Sequence, residues 1–221
     1  MIKEKLAEIR KEIPEHVTLI AVSKTKPVSA LEEAYKAGQR HFGENKVQEM
    51  FDKYEQLPKD IQWHLIGHLQ SNKVKYIAPF VHLIHSVDSL KLLSEIDKQA
   101  KKNNRVIDCL LQFHIAEEET KFGLNISEAE TLLTSEEYAT MQNIRLVGVM
   151  GMASFTDNDV KVRQEFSHLK DLYVQLKHSF FANESSFKEI SMGMSGDYQL
   201  AMEEGSTMVR IGSTIFGERF S

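Results

Sequence analysis

The side chains able to do chemistry in this sequence sit where apolar runs end. Val17 to Pro27 reads Val-Thr-Leu-Ile-Ala-Val-Ser-Lys-Thr-Lys-Pro, an aliphatic run that stops at Ser23-Lys24-Thr25. A strand that is apolar on both faces is buried on both faces, as in a parallel sheet. Thr18, Ile20, Val22 and Lys24 share one face of that strand, which puts Lys24 at its carboxyl end. Two environments suit such a lysine. Either it is a solvated loop residue, or desolvation and the nearness of Lys26 lower its pKa and make the amine nucleophilic.

Two stretches near the other end of the chain complement it. Met192-Gly193-Met194-Ser195-Gly196-Asp197 and Arg210-Ile211-Gly212-Ser213-Thr214 place small residues and hydroxyls where a strand gives way to a helix. Free backbone N–H groups in such turns hold anions. Met208, Arg210 and Gly212 share a strand face opposite Val209 and Ile211, so with the latter pair packed outward Arg210 points inward. A buried cation needs a partner, either a neighbouring carboxylate or a ligand. Taken together, an amine nucleophile, an anion cup and an inward arginine suit pyridoxal 5′-phosphate. Its aldehyde condenses with lysine, its phosphate takes N–H donors, and its ring nitrogen is met by Asp or Arg. An arginine leaves that nitrogen unprotonated, which weakens the electron sink and disfavours vigorous carbanion chemistry.

The elements that must position these groups alternate regularly. A leading helix is predicted over residues 2–12 from Ile2, Leu6, Ile9 and Ile13. Strands are predicted over 17–23, 40–43, 61–66, 81–86, 105–113, 144–150, 188–192 and 208–212, each followed by a helical pattern. Ser127 and Glu130 have the spacing of a capping box, Asp88-Ser89 and Asp197 read as helix caps, and Gly38 as a stop. Such β-α alternation predicts parallel strands with right-handed crossovers. Eight units in 221 residues fit one compact (β/α)8 barrel over residues 1–221. A doubly wound open sheet is the alternative, but no GxGxxG follows the first strand. In a closed barrel the last strand neighbours the first, which brings Lys24, Arg210 and the anion cup onto one short arc.

Composition excludes several function classes. A formal charge of −5 offers no general attraction to nucleic acid or anionic membrane, and the basic run Lys98 to Arg105 reads as a solvated helix end. Cys109, the only cysteine, leaves no intrachain disulfide or thiolate cluster and reads as a small core residue. The charged, amphipathic N-terminus carries no apolar signal segment, so the expected location is the cytoplasm. His64, His68, His82 and His85 lie near one another in sequence, but Gly67 breaks the helical face a metal pair would need, and no metal site is expected. Glu117-Glu118-Glu119 reads as a solvated loop, and the nine methionines as adaptable packing.

Ala21 to Pro27, His41-Phe-Gly-Glu-Asn-Lys-Val-Gln-Glu49, Trp63-His-Leu-Ile-Gly-His-Leu-Gln-Ser-Asn-Lys73 and His85-Ser-Val-Asp88 form an ordered series of motifs. Lys121-Phe122-Gly123, Ser191 to Asp197 and Val209 to Gly217 complete it. The chain closely resembles the pyridoxal-phosphate homeostasis proteins, whose fold is like the N-terminal barrel domain of alanine racemase. That resemblance implies an internal aldimine on Lys24, ring contacts from Asn45 and Arg210, and a phosphate grip by Ser195, Gly212, Ser213 and Thr214. It further implies that His85, Ser86 and Met152 line the pocket. His68 stands where many members carry proline, and Gly151-Met152-Ala153-Ser154 is a looser version of its segment. The function implied is storage, delivery or buffering of the cofactor, with cofactor-requiring apo-enzymes as recipients and a monomeric state. Racemisation needs a base on each face of the substrate α-carbon, and Lys24 supplies one. The racemases resembled take the other from an additional domain, for which a chain ending at Ser221 leaves no room. A racemase served by an unrecognised acid or base such as Tyr198 or His85, a Schiff-base aldolase acting on a sugar phosphate, and an interaction scaffold are the rival readings.

Overall fold

The computed structural model describes residues 1–119 and 122–218. After helix α1 (Ile2–Glu12), the strands β1 (Thr18–Val22), β2 (His41–Glu44), β3 (Gln62–Leu65), β4 (Leu83–Val87), β5 (Ile107–Gln112), β6 (Ile144–Met150), β7 (Glu189–Ser191) and β8 (Met208–Ile211) close into a parallel barrel in chain order. The connections carry α2 (Val28–Lys36), α3 (Val47–Gln56), α4 (Val74–Ile77), α5 (Leu90–Lys102), α6 (Ile126–Leu133), α7 (Glu136–Thr140), α8 (Asp159–Phe180) and α9 (Tyr198–Glu203). A one-turn helix, α10 (Ser213–Phe216), follows β8. The open-sheet alternative is thereby ruled out.

Strand alternation divides the apolar side chains between two regions. Leu19, Ala21, Val209 and Ile211 face outward into the main core, where they meet helix residues such as Leu6, Leu31 and Leu169. Ile20, Leu83, Leu110, Val147, Met150 and Met208 form a smaller cluster inside the barrel, with Met152 packed against it. β8 pairs with β1 so that Ile20 lies level with Arg210 and Ala21 with Ile211. The expected closure between the first and last strands is therefore present.

Local signals differ from expectation in a few places. The capping box belongs to Asn125, whose side chain accepts from Glu128 N (2.8 Å) while Glu128 caps Asn125 N (3.0 Å), two residues before the Ser127 expected. Asn-x-x-Glu satisfies the same two orphan donors, and asparagine is an equally good cap. Ser89 caps α5 as read, by accepting from Leu92 N at 3.1 Å. Asp197 precedes α9, but its carboxylate accepts from Met194 N (2.7 Å) outside the helix. Arg105 is no solvated helix end: it donates to Ala78 O (2.6 Å) and Val81 O (2.7 Å), stapling the turn that leads into β4. Nor is the acidic run merely solvated, because Glu117 pairs with Lys161 and Glu118 accepts from Phe155 N at 3.1 Å. Cys109 is a buried core residue, and its burial pushes the thiol pKa up.

Candidate functional site

β1 ends at Val22, and Lys24 follows in the turn, half-buried. Ala21 lies level with Ile211 across the β1/β8 pair, so the Lys24 turn and Gly212 both follow at the same end of these two strands. A buried ionic cluster grips the residues on either side of it. Lys53, on α3, donates to Ser23 O (2.6 Å), to Glu49 Oε2 (2.8 Å) and to Glu44 Oε1. Ser23 Oγ also donates to Glu44 Oε1 (3.1 Å), and Thr25 N donates to Glu49 Oε2 (2.6 Å). Glu44 is fully buried, and burial pushes its carboxyl up to about 7 against the pull of Lys53. Lys26 donates to the carbonyls of Gly217 (3.2 Å) and Glu218 (3.3 Å), tying this turn to the end of α10.

Arg210 lies inside the barrel, 3% exposed. It donates to Ser191 Oγ (2.5 Å) and to Gly151 O (3.1 Å). Among the described residues no carboxylate forms an ion pair with it, so the expectation of a partner is met by neutral groups alone. Burial pulls the guanidinium down to about 10, with Asp197 opposing the shift. Inside a barrel, a cation whose direct partners are all neutral and whose nearest counter-charge, Asp197, acts without an ion pair is suited to an anionic ligand.

Around it the other expected residues take their places at the carboxyl ends of the strands. Gly212 N donates to Ser195 Oγ at 3.2 Å, joining the two halves of the anion cup. A Cβ on Gly212 would approach Val22 O to 3.1 Å, so glycine lets the ends of β8 and β1 close up. Ser213 and Thr214, both exposed, open α10, where a helix leaves its N–H groups unpaired. Asn45 follows β2, and its backbone rests against Gly67: a Cβ there would fall 2.4 Å from Asn45 O. His85 and Ser86 are buried on β4, and Ser86 Oγ has no hydrogen-bond partner among the described residues. Met152 lies half-buried beyond β6, between Gly151, whose carbonyl Arg210 holds, and Ser154. Glu165 fixes Ser154 through its N–H (2.6 Å) and its hydroxyl (2.7 Å). The donor set fits a phosphorylated aldehyde cofactor: an amine, a hydroxyl-lined cup, an unneutralised guanidinium and an orphaned buried hydroxyl.

Comparison with known proteins agrees with this geometry. The family model of the alanine racemase N-terminal domain matches residues 1–220. The pyridoxal phosphate homeostasis protein of Aquifex aeolicus is 42% identical over 203 residues, 91% of this chain and 86% of that one. Its counterpart in Escherichia coli K12 is 35% identical over 232 residues, 99% of this chain and 97% of that one. The chain belongs to the pyridoxal phosphate homeostasis protein family. PipY of Synechococcus elongatus PCC7942 is 36% identical, and both comparisons cover 98% of this chain and 100% of PipY. The TM-score is 0.91 to the PLP-free structure and 0.88 to the PLP-bound one. Alanine racemase of Clostridium difficile 630, 14% identical with a TM-score of 0.75, shares the barrel fold over 100% of this chain and 57% of its own.

For this member of the pyridoxal phosphate homeostasis family, one departure noted in sequence, the Gly151–Ser154 segment, reaches Arg210 through the Gly151 carbonyl, and the other is His68. His68 stacks on Phe122, with ring centroids 3.8 Å apart. Lys121, part of the Lys121-Phe122-Gly123 motif, lies outside the described residues. Sequence reasoning missed Ser191 and the whole Lys53 cluster. The signal for Ser191 was the alternation on β7, where Ile190 packs outward. Lys53 falls three residues after buried Met50, on a helix face otherwise read as apolar.

Proposed function

We propose that this chain binds pyridoxal 5′-phosphate as a Schiff base on Lys24 and serves the supply of that cofactor in the cytoplasm, as a monomer and without substantial turnover of its own. Arg210 carries the reading: a buried guanidinium whose direct partners are neutral, on the strand paired with β1, which leads into the Lys24 turn. It faces the aromatic ring and balances the ligand's negative charge. Asn45 flanks the ring, and His85, Ser86 and Met152 wall the pocket. Ser195, Gly212, Ser213 and Thr214 take the phosphate. Membership of the pyridoxal phosphate homeostasis family and the PLP-bound PipY structure support the choice of ligand.

The test is the visible absorption of the purified protein and of Lys24→Ala, each with and without added pyridoxal 5′-phosphate. A yellow Schiff-base band in the wild type that is lost in Lys24→Ala is the expected result. A wild type that stays colourless after the addition overturns the reading. Transfer of the bound cofactor to an apo-enzyme, without α-proton exchange of amino acids in deuterated water, separates a carrier from a racemase.

A further inference from the structure

At the opposite end of the barrel, three imidazoles converge. His41 opens β2, His64 lies within β3, and His82 immediately precedes β4. His41 Nδ1 lies 2.9 Å from His64 Nε2, and one ring nitrogen from each of the three lies within 4.8 Å of the others. The ring of His82 stands edge-on to both, with centroids 5.8 Å from His41 and 5.2 Å from His64. We propose that His41, His64 and His82 form a binding site for one divalent transition-metal ion of the zinc, cobalt or nickel class.

The geometry favours a metal over simple packing. At metal–nitrogen distances of about 2.0–2.1 Å, two ligands of one tetrahedral ion lie about 3.3–3.4 Å apart. The 2.9 Å between His41 Nδ1 and His64 Nε2 has to open by only a few tenths of an ångström, and the ion replaces the proton between the two rings. That proton moves to the other nitrogen of its own ring, so three neutral imidazoles bind with no net proton release near neutral pH. His82 has to close by no more than about 1.5 Å, which its position ahead of the strand permits. His64 is fully buried and His41 and His82 are partly buried, surroundings that favour the neutral ring metals bind.

A supporting shell is also in place. His64 Nδ1 meets His85 Nε2 at 2.9 Å, and His85 Nδ1 meets Ser191 Oγ at 2.9 Å. A metal on His64 Nε2 fixes the proton on Nδ1, facing His85, the arrangement in which an outer hydrogen bond orients a ligating histidine. A cavity of about 370 Å³ lined by His82, Asp108, Arg145, Lys188 and Glu189 adjoins the cluster, giving an entry path and room for a water as fourth ligand. The zinc-class ions follow from three neutral nitrogens, since calcium and magnesium select oxygen. The three ligands lie outside the proposed cofactor pocket, although the chain from His64 through His85 and Ser191 reaches Arg210.

The experiment is a Co2+ titration of the untagged full-length protein followed by its visible ligand-field band, with Zn2+ affinity measured by competition against a chromophoric chelator. One ion per chain is expected. His41→Gln and His82→Gln, at half-exposed positions, each weaken binding at least tenfold, whereas His68→Gln leaves it unchanged. Urea denaturation with and without Zn2+ checks that the variants fold and should lose the metal-dependent stabilisation with them. A wild type that shows no four-coordinate Co2+ band, or His41→Gln and His82→Gln proteins that bind like the wild type, overturns the proposal.

Discussion

Replacing Lys53 by methionine isolates what the buried cluster does for the Lys24 turn. Glu44, held near 7 in the folded protein against an ordinary 4.5, binds its proton more tightly folded than unfolded. Stability therefore falls as pH rises through that window, by roughly 3 kcal/mol, and levels off above it. Burial raises the Glu44 pKa, while the charge and hydrogen bond of Lys53 are the main influences opposing it. In Lys53→Met the carboxyl rises further, and the loss continues above neutrality at about 1.4 kcal/mol per pH unit. Near pH 6, where Glu44 is protonated in both proteins, the substitution costs about 1–2 kcal/mol for the lost bonds to Ser23 and Glu49. Near pH 8 the cost grows by about another 1.4 kcal/mol. Urea denaturation at both pH values measures it, with Lys53→Met/Glu44→Gln as the control in which the pH-dependent part disappears. Equal destabilisation at the two pH values, or a pH slope that persists in the double variant, would refute the reasoning. Because Lys53 also holds Ser23 O and steadies the Glu49 carboxylate on Thr25, the single variant should take up pyridoxal phosphate more weakly.

Gly67→Ala is expected to cost about 1–3 kcal/mol, since its Cβ meets the backbone of Asn45 rather than a yielding side chain. Denaturation and cofactor titration together check it, and both should worsen because Asn45 is displaced. Asn125→Ala removes the α6 capping box and should cost about 0.5–2 kcal/mol while leaving cofactor affinity unchanged.

How far the site was legible follows from which distances in sequence matter. Arg210 could be read because its direction depends only on alternation along β8, and Val209 and Ile211 do pack outward. Lys24 could be placed because the apolar run names its strand. Lys53 could not, because helical periodicity registers apolar residues and treats a charge as solvated. Glu49 is one helical turn away on α3, but Ser23, just past β1, and Glu44, at the end of β2, are brought in only by the closing of the barrel. The histidines failed for the same reason. His41 was left out and His68 counted in, since nearness in sequence was the only measure at hand; strand register sets His64 beside His41 and His85 and leaves His68 against Phe122.

Thr25 ties the candidate nucleophile to the cost of holding it. Its φ of 63° lies in the left-handed region, which a β-branched residue adopts at an expense of about 1–2 kcal/mol. That conformation turns the chain directly after Lys24 and sends Lys26 to the carbonyls beyond α10. The strain persists because Glu49 holds the Thr25 N–H and Lys53 holds both Glu49 and Ser23 O. A glycine would make the turn without strain, but it would also let the turn move. A strained threonine clamped by a buried ion cluster instead fixes the chain on either side of Lys24, the restraint that an amine meeting the aldehyde of a held cofactor would need.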